Sequence, residues 1–216
     1  MAAQEIVENT PDARPSLRNE PVQARSAARL SALLDAAAQI VDEIGYERLT
    51  TAMVAERAGA SIGTVYRYFP DRIAVLQALA ARNLERVLEK TTNEILDPKN
   101  ETWASALKAA SAVLIDAHRT EAGFSGLRFG DVLDLRPASL DRTFNSIVSD
   151  RIVDALVERF GFTDSPEFRF RFETAVEISD ALATRAFARD PQGDEAFLQV
   201  SRDVVTQLLA QDLGTP

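Results

Sequence analysis

The apolar residues of segment 22–44 recur at the spacing of one helix face, and this periodicity constrains the fold more than any other feature. Apolar side chains follow the i, i+3, i+4, i+7 rule over about four turns. Similar stripes recur along most of the chain, and no stretch shows the strict alternation of a half-buried strand. We therefore predict an all-α protein of about nine helices. The stripe consists of Leu30, Leu33, Leu34, Ala37, Ile40, Val41 and Ile44.

Glycine, proline and capping residues mark the helix ends. Residues 1–21 contain three Pro and few apolar side chains, which predicts a disordered arm. Residues 22–71 form the first predicted domain, and residues 72–216 form the second. The predicted helices cover about 22–44, 51–58, 61–69, 72–95, 103–118, 122–134, 137–160, 166–189 and 195–213.

The composition excludes several protein classes. The chain has no Cys, which excludes disulfides and zinc–thiolate sites. No apolar run approaches the ~20 residues of a membrane span, and the acidic N-terminus is not typical of a secretory signal. We recognise no catalytic or metal-binding pattern after residue 76. We therefore expect a cytoplasmic protein that is not an enzyme and has no cofactor, metal or membrane partner.

The net charge of −9 is unevenly distributed. Residues 21–75 carry six Arg against six acidic residues, whereas residues 76–216 carry sixteen basic against twenty-three acidic residues. An acidic body repels nucleic acid, so any contact with DNA must come from the neutral N-terminal segment.

Residues 45–76 predict a helix-turn-helix, two short helices joined by a tight turn at 58–61. Val54, Ala55, Ala58, Val65 and Phe69 are the inward positions that pack the helices together. The outward side chains are small, polar or cationic, as a helix entering the ~12 Å major groove requires. Threonines at the first helix start, tyrosine hydroxyls and an Arg opening the next helix can meet phosphates. The candidate DNA-binding residues are Thr50, Thr51, Ser61, Ile62, Gly63, Thr64, Tyr66, Arg67, Tyr68 and Arg72.

This segment resembles the DNA-binding domain of the TetR family along nearly its whole length. The family often has His where Tyr68 stands and Lys where Arg72 stands, and both replacements keep a group that binds phosphate. The resemblance implies that residues 22–71 are a DNA-binding domain. It also implies that residues 72–216 are a helical ligand-binding domain that binds an inducer and dimerises through its last two helices, which pair as a four-helix bundle. The matching residues are Gly45-Tyr46, Thr50, Val54-Ala55, Ala58-Gly59-Ala60-Ser61, Tyr66-Arg67-Tyr68-Phe69 and Arg72.

Ten of the eleven Phe residues lie after residue 120, which predicts an apolar interior for the second domain. A pocket among these rings suits a largely apolar or aromatic small molecule with one or two polar anchors. His118, the one histidine, ends an apolar stripe and could be an anchor or a structural residue. The candidate ligand-binding residues are Trp103, Leu107, His118, Arg128, Phe144, Phe172 and Val176.

The helix predicted to begin at residue 166 carries two apolar stripes. One can bury against its own domain and the other against a partner, although a helix central to one monomer would look similar. The last helix has a similarly broad apolar face. The candidate dimer residues are Ala175, Ser179, Leu182, Ala183, Ala186, Val204, Val205 and Leu208.

The sequence therefore predicts a homodimeric, sequence-specific regulator of transcription. We expect a repressor that binds a palindromic operator on double-stranded DNA and leaves it when a small-molecule effector binds. One alternative is a DNA-binding regulator controlled by a protein partner, which would have a filled interior and an exposed apolar patch. A second is an all-helical enzyme that carries an accessory DNA-binding head.

Overall fold

The computed structural model describes residues 19–124 and 143–214, and within these ranges it contains eight α-helices and no strand. None of these helices has the length and hydrophobicity needed to cross a membrane. A 3-10 turn, Tyr46–Arg48, follows the first helix. The α-helices are α1 (Asn19–Ile44), α2 (Thr51–Arg57), α3 (Ile62–Tyr68), α4 (Arg72–Leu96), α5 (Trp103–Thr120), α6 (Phe144–Phe160), α7 (Pro166–Arg189) and α8 (Glu195–Leu213).

The helix boundaries follow the sequence prediction closely. Helix α1 begins at Asn19, three residues before the predicted start, and α6 begins at Phe144. Most of the predicted helix 122–134, the stretch 137–142 and residues 1–18 lie outside the described residues. The all-α prediction is confirmed.

Side-chain caps set where the helices begin. Thr50 accepts a hydrogen bond from the Met53 backbone N–H at 3.2 Å, and Asp71 accepts one from Ala74 at 2.9 Å. Each cap satisfies an N–H group that the helix itself leaves without a partner, and contributes about 1 kcal/mol. The other capping side chains are Ser61, Thr102, Thr143, Ser165 and Asp194.

The helices enclose two hydrophobic cores, and α4 contributes to both. The first core joins α1, α2, α3 and the early turns of α4, including Leu76 and Leu79. The second joins the later part of α4, including Leu88 and Ile95, to α5, α6, α7 and α8. We call the part around the first core the head (residues 24–80) and the part around the second core the body (residues 84–213). Because α4 spans both, a displacement at one end can reach the other.

Helices α7 and α8 form an antiparallel pair. Arg171 near the start of α7 pairs with Asp212 near the end of α8 at 2.6 Å, and Arg189 pairs with Asp194 at the opposite end at 2.9 Å. This pairing presents the side chains of both helices on one common surface of the body.

Candidate nucleic-acid interface

A short turn fixes the angle between α2 and α3. Gly59 adopts φ +58°, a left-handed conformation that side chains other than glycine rarely adopt. The Ala60 backbone N–H donates to the Ala55 carbonyl at 2.9 Å, and Gly59 donates to Glu56 at 3.1 Å. These bonds end α2 and direct the chain into α3. Four of the predicted inward residues, Val54, Ala55, Val65 and Phe69, are buried, and the fifth, Ala58, is partly buried against the same core.

The outer face of α3 is open. Ile62 is 43% exposed and Tyr66 is 54% exposed, although both are large and partly apolar. Gly63 and Arg67 are also exposed, and Thr64 is half-buried beside them. This face combines a branched apolar group, a phenol hydroxyl and a cation, the groups that contact base edges and phosphates.

Hydroxyl groups hold this face in place. Ser61 caps α3 by accepting from the Thr64 backbone N–H at 3.1 Å, and its Oγ lies 3.0 Å from the Thr64 hydroxyl. The Thr51 hydroxyl donates to the Tyr66 hydroxyl over 3.4 Å, a long contact between the start of α2 and α3. The candidate residues at the two helix starts are thus brought together.

Two predicted DNA-binding residues also hold the head together. The Tyr68 hydroxyl lies 3.1 Å from the Ser26 hydroxyl and donates to the Ser26 carbonyl at 3.4 Å, tying α3 to α1. Arg72 donates to the Glu47 carbonyl at 2.9 Å while its side chain remains at the surface. The sequence did not reveal these structural roles.

One arginine of the head is held in an ion pair. Arg57 on α2 donates two hydrogen bonds to Glu43 on α1, at 2.8 and 2.6 Å. These bonds lower the pKa of the Glu43 carboxyl, so the pair stays charged at neutral pH. Arg57 therefore serves α1–α2 packing, and the cation on the outer face of α3 is Arg67.

The predicted ligand-binding residues do not form one pocket. Trp103 and Phe172 are buried in the body core, with Val176 packed against it. His118 lies fifteen residues further along the same helix, which places it about 22 Å from Trp103. These two predicted ligand-binding residues therefore lie near opposite ends of α5. Arg128 and the Phe144 side chain lie outside the described residues.

The His118 ring lies among aromatic side chains near the end of α5. It stacks on Phe187 with centroids 4.4 Å apart and meets Phe124 edge-on at 4.8 Å. Burial lowers the pKa of His118 to about 4, so the imidazole is neutral at physiological pH. The ring packs as a structural element of the body.

A cleft of about 350 Å³ opens between α5, α7 and α8. Leu107 is the predicted ligand-binding residue that lines it, together with the predicted dimer residues Ser179 and Val205. Its polar lining was not predicted, although Ser105, Lys108 and Ser111 follow a helical i, i+3, i+6 spacing in the sequence. The remaining lining residues are Ala104, Gln199, Ser201, Arg202 and Thr206.

Two of the predicted dimer residues face inward. Ala175 is 2% exposed and Ala186 is fully buried within one chain, so neither can offer surface to a partner. The two stripes of α7 did not indicate which one is internal, and the assignment of these two alanines is corrected. Half-buried side chains remain for a partner: Leu182, Ala183, Val204 and Leu208, with Ser179 and Val205 at the cleft.

Two family models match this chain. Residues 33–79 match the model of bacterial regulatory proteins of the tetR family, and residues 101–213 match the tetracyclin repressor-like C-terminal domain. The second match alone covers more than half of the chain.

Individual proteins show the same similarity. The HTH-type transcriptional repressor KstR of Mycolicibacterium smegmatis is 40% identical over 68 residues, which are 32% of this chain and 33% of KstR. The chain thus spans about a third of the length of this curated relative. FadR from Bacillus halodurans, a fatty acid degradation regulator, has a TM-score of 0.58 at 19% identity over 84% of this chain and 94% of its own, a likeness of fold alone.

A crystal structure extends the similarity to the whole fold. The TetR-family transcriptional regulator from Streptomyces coelicolor is 34% identical, with a TM-score of 0.75 over 88% of this chain and 99% of its own. Both domains, the head with its helix-turn-helix and the helical body, are therefore accounted for by one family. The chain belongs to the TetR family of DNA-binding transcriptional regulators.

Proposed function

We propose that the protein is a homodimeric repressor that binds a palindromic operator through α3 and leaves it when a small molecule binds the body. The observation that carries this proposal is the open face of α3, where Ile62, Tyr66 and Arg67 are exposed on a helix held by caps and a tight turn. Large side chains left in solvent on a rigid element are typical of a recognition surface.

In the proposed complex, α3 lies in the major groove. Gly63 and Thr64 allow close approach to base edges, Tyr66 and Arg67 reach bases or phosphates, and Ile62 can meet a thymine methyl. Thr50 and Thr51 present hydroxyls and backbone N–H groups at the start of α2 to a phosphate. In the dimer, two such helices stand one turn of DNA apart, ~34–36 Å.

Contacts between body and head support the proposed release. The Gly123 backbone N–H, just after α5, donates to the Asp42 carboxylate on α1 at 2.8 Å. Within the body, Lys90 on α4 forms an ion pair with Glu121, which directly follows α5. A ligand that moves α5 would therefore move α1 and α4, with a coupling of about 1–3 kcal/mol between ligand and DNA.

A small molecule is favoured over a protein partner by the cleft between α5, α7 and α8. A volume of about 350 Å³ falls within the ~300–1,000 Å³ of small-molecule sites. A regulator controlled only by a protein partner would need no such space.

Substitution on α3 tests the proposal. Thr64→Ala/Tyr66→Ala should weaken binding to the operator about 10- to 100-fold, because each lost base or phosphate contact contributes about 1 kcal/mol or more. The operator is the site recovered by selection from random duplex DNA, and affinity is measured by fluorescence anisotropy at a fixed salt concentration. Arg86→Ala, an exposed change on α4 outside the head, is the matched control. A double variant that stays dimeric and binds as tightly as the wild type would overturn the assignment of α3.

A further inference from the structure

The cleft between α5, α7 and α8 combines two cationic side chains with hydroxyl groups. Lys108 of α5 and Arg202 of α8 both line it. Among the described residues that line the cleft, none is acidic, although the whole chain carries a net charge of −9. Lys108 forms no ion pair with any described residue. The described lining therefore offers two cations, of which Arg202 is ion-paired with Glu195, and no acidic group, which favours an anionic ligand.

The start of α5 also contributes positive electrostatic potential to the cleft. Ala104 and Ser105 belong to the first turn of this 18-residue helix and line the cleft. The amino end of a helix carries a partial positive charge, about half an elementary charge. An acidic group in the cleft would thus lie in the positive potential of the first turn of α5 as well as near side-chain cations.

Arg202 can exchange its ion pair with Glu195 for one with a ligand at little loss of stability. Its guanidinium pairs with Glu195 and donates to Gln199 at 2.7 Å. The Glu195 side chain is 69% exposed, and exposed ion pairs contribute little to stability. A ligand acid held between Arg202 and Lys108 can therefore replace Glu195.

The cleft also offers hydroxyl and apolar contacts. Ser201 is 9% exposed and donates to the Ser179 hydroxyl at 3.3 Å, so Ser179 keeps its own proton for a ligand oxygen. Ala104, Leu107 and Val205 form an apolar wall beside these polar groups. A bare inorganic anion would leave that wall without a contact.

We infer that this cleft binds a small carboxylic acid with a short apolar body, and that this molecule is the effector of the proposed repressor. The carboxylate lies between Lys108 and Arg202 and the apolar part lies against Leu107 and Val205. This adds an acidic group to the largely apolar ligand predicted from the sequence. The regulatory half of the inference rests on the proposed function, whereas the binding half does not.

Binding in the cleft would act on the helix pair that carries the candidate dimer residues. Ser179 and Val205 belong to α7 and α8, and Lys108 belongs to α5, whose far end contacts α1 through Gly123. A ligand that draws Lys108 and Arg202 together would shift α5 relative to the dimer helices. The spacing of the two heads would then change.

Calorimetric titration of the full-length dimer without DNA tests the binding half. The probes are hexanoate and benzoate, with hexanol and benzyl alcohol as uncharged counterparts and inorganic phosphate as an anion without an apolar body. We expect both carboxylates to bind about tenfold or more tightly than their alcohols and than phosphate, since charge-assisted hydrogen bonds are the strong ones. Lys108→Ala/Arg202→Ala should weaken carboxylate binding at least about tenfold, and Arg86→Ala should leave it unchanged.

The outcomes separate the two proposals. If neither carboxylate binds at millimolar concentration, or if the double variant binds them as well as the wild type, the cleft assignment is overturned. That result would hold whether or not the protein binds DNA. If the carboxylates bind in the cleft but do not release the selected operator, the effector role is overturned and the binding site stands. If no operator is recovered at all, the proposed repressor fails while the titration still decides the binding site.

Discussion

The head and the body of this molecule bury their helices in different ways. The head closes on a compact core in which Leu33, Leu49 and Val54 are fully buried, and it leaves the outer face of α3 open. The body leaves a cleft of about 350 Å³ between three helices, and the buried Trp103 Nε1 has no hydrogen-bond partner among the described residues. In the proposed repressor, the outer face of α3 keeps its shape while the body changes shape when a ligand binds. The two cores, joined by α4, would then separate DNA binding from the response to the ligand.

Substitutions that create a cavity should give the largest difference in stability between the head and the body. Leu33 in the head and Leu209 in the body are both fully buried. Replacing either by Ala should therefore lower the free energy of unfolding by about 2–5 kcal/mol. Leu33→Ala should loosen residues 24–80 and abolish operator binding, while Leu209→Ala should loosen mainly residues 145–213. Hydrogen exchange resolved by mass spectrometry measures both. Equal loosening of both regions in each variant would mean that the cores unfold as one unit.

The pH dependence of stability should belong to the body. The pKa of His118 is about 4 in the folded protein, below the ~6.5 of an exposed imidazole. The unfolded chain therefore takes up the proton first as the pH falls. The stability that the neutral His118 contributes is present above about pH 6.5 and is lost toward pH 4. We expect a loss of about 2 kcal/mol between pH 7 and pH 5.

Urea unfolding followed by the single tryptophan measures this effect, since Trp103 lies in the body core. The matched variant is His118→Gln, which should remove most of the difference between the two pH values. Because the chain has one histidine, protection of the head against hydrogen exchange should change little over this range. A pH dependence that survives in the variant would contradict the assignment to His118.

The junction between the two cores can be broken at a glycine. Gly123 has φ +74°, and a Cβ built there would lie 3.1 Å from Ala38 Cα and 3.3 Å from Leu79 Cδ2. Gly161 has φ +71°, and nothing lies within 4 Å of a Cβ built there. Gly123→Ala should therefore lower the free energy of unfolding by about 1–2 kcal/mol more than Gly161→Ala.

Thermal unfolding and operator titration of the two variants measure the difference. Gly123→Ala should also change operator affinity, because it separates α5 from α1, whereas Gly161→Ala should not. Equal effects of the two substitutions on both measurements would show that the junction carries no coupling.

The smallest expected effect comes from the caps. Ser61→Ala removes the cap of α3 and should cost about 1 kcal/mol in the head, and Ser165→Ala removes the cap of α7 and should cost the same in the body. Only the first should reduce operator affinity, by a few-fold. If Ser165→Ala lowered affinity as much, the reading surface would not be confined to the head.

Local features of the sequence predicted most of the fold. Helix periodicity, caps such as Thr50 and Asp71, and breaks such as Gly59 act within a few residues, so each could be recognised in isolation. The helix-turn-helix was predicted for the same reason, because its packing pattern and open face lie within one short segment.

Features formed between distant residues could not be predicted in this way. Tyr68 meets Ser26 across 42 positions, and the cleft joins residues of α5 to residues of α8 nearly a hundred positions later. Ala175 and Ala186 lie on a helix with two apolar stripes, and periodicity alone does not say which stripe faces inward. These contacts depend on how the helices are arranged in three dimensions.

Selection of bound sequences from random duplex DNA, at a fixed and stated salt concentration, decides whether α3 reads DNA. We expect enrichment of a palindromic site whose half-sites are centred about one helical turn apart, about 10–10.5 base pairs, or a multiple of it. Enrichment should fall strongly with Thr64→Ala/Tyr66→Ala, in line with the about 10- to 100-fold weaker binding expected of this variant. No enrichment at low salt, from a protein shown to be folded and dimeric, would contradict the claim that α3 reads DNA.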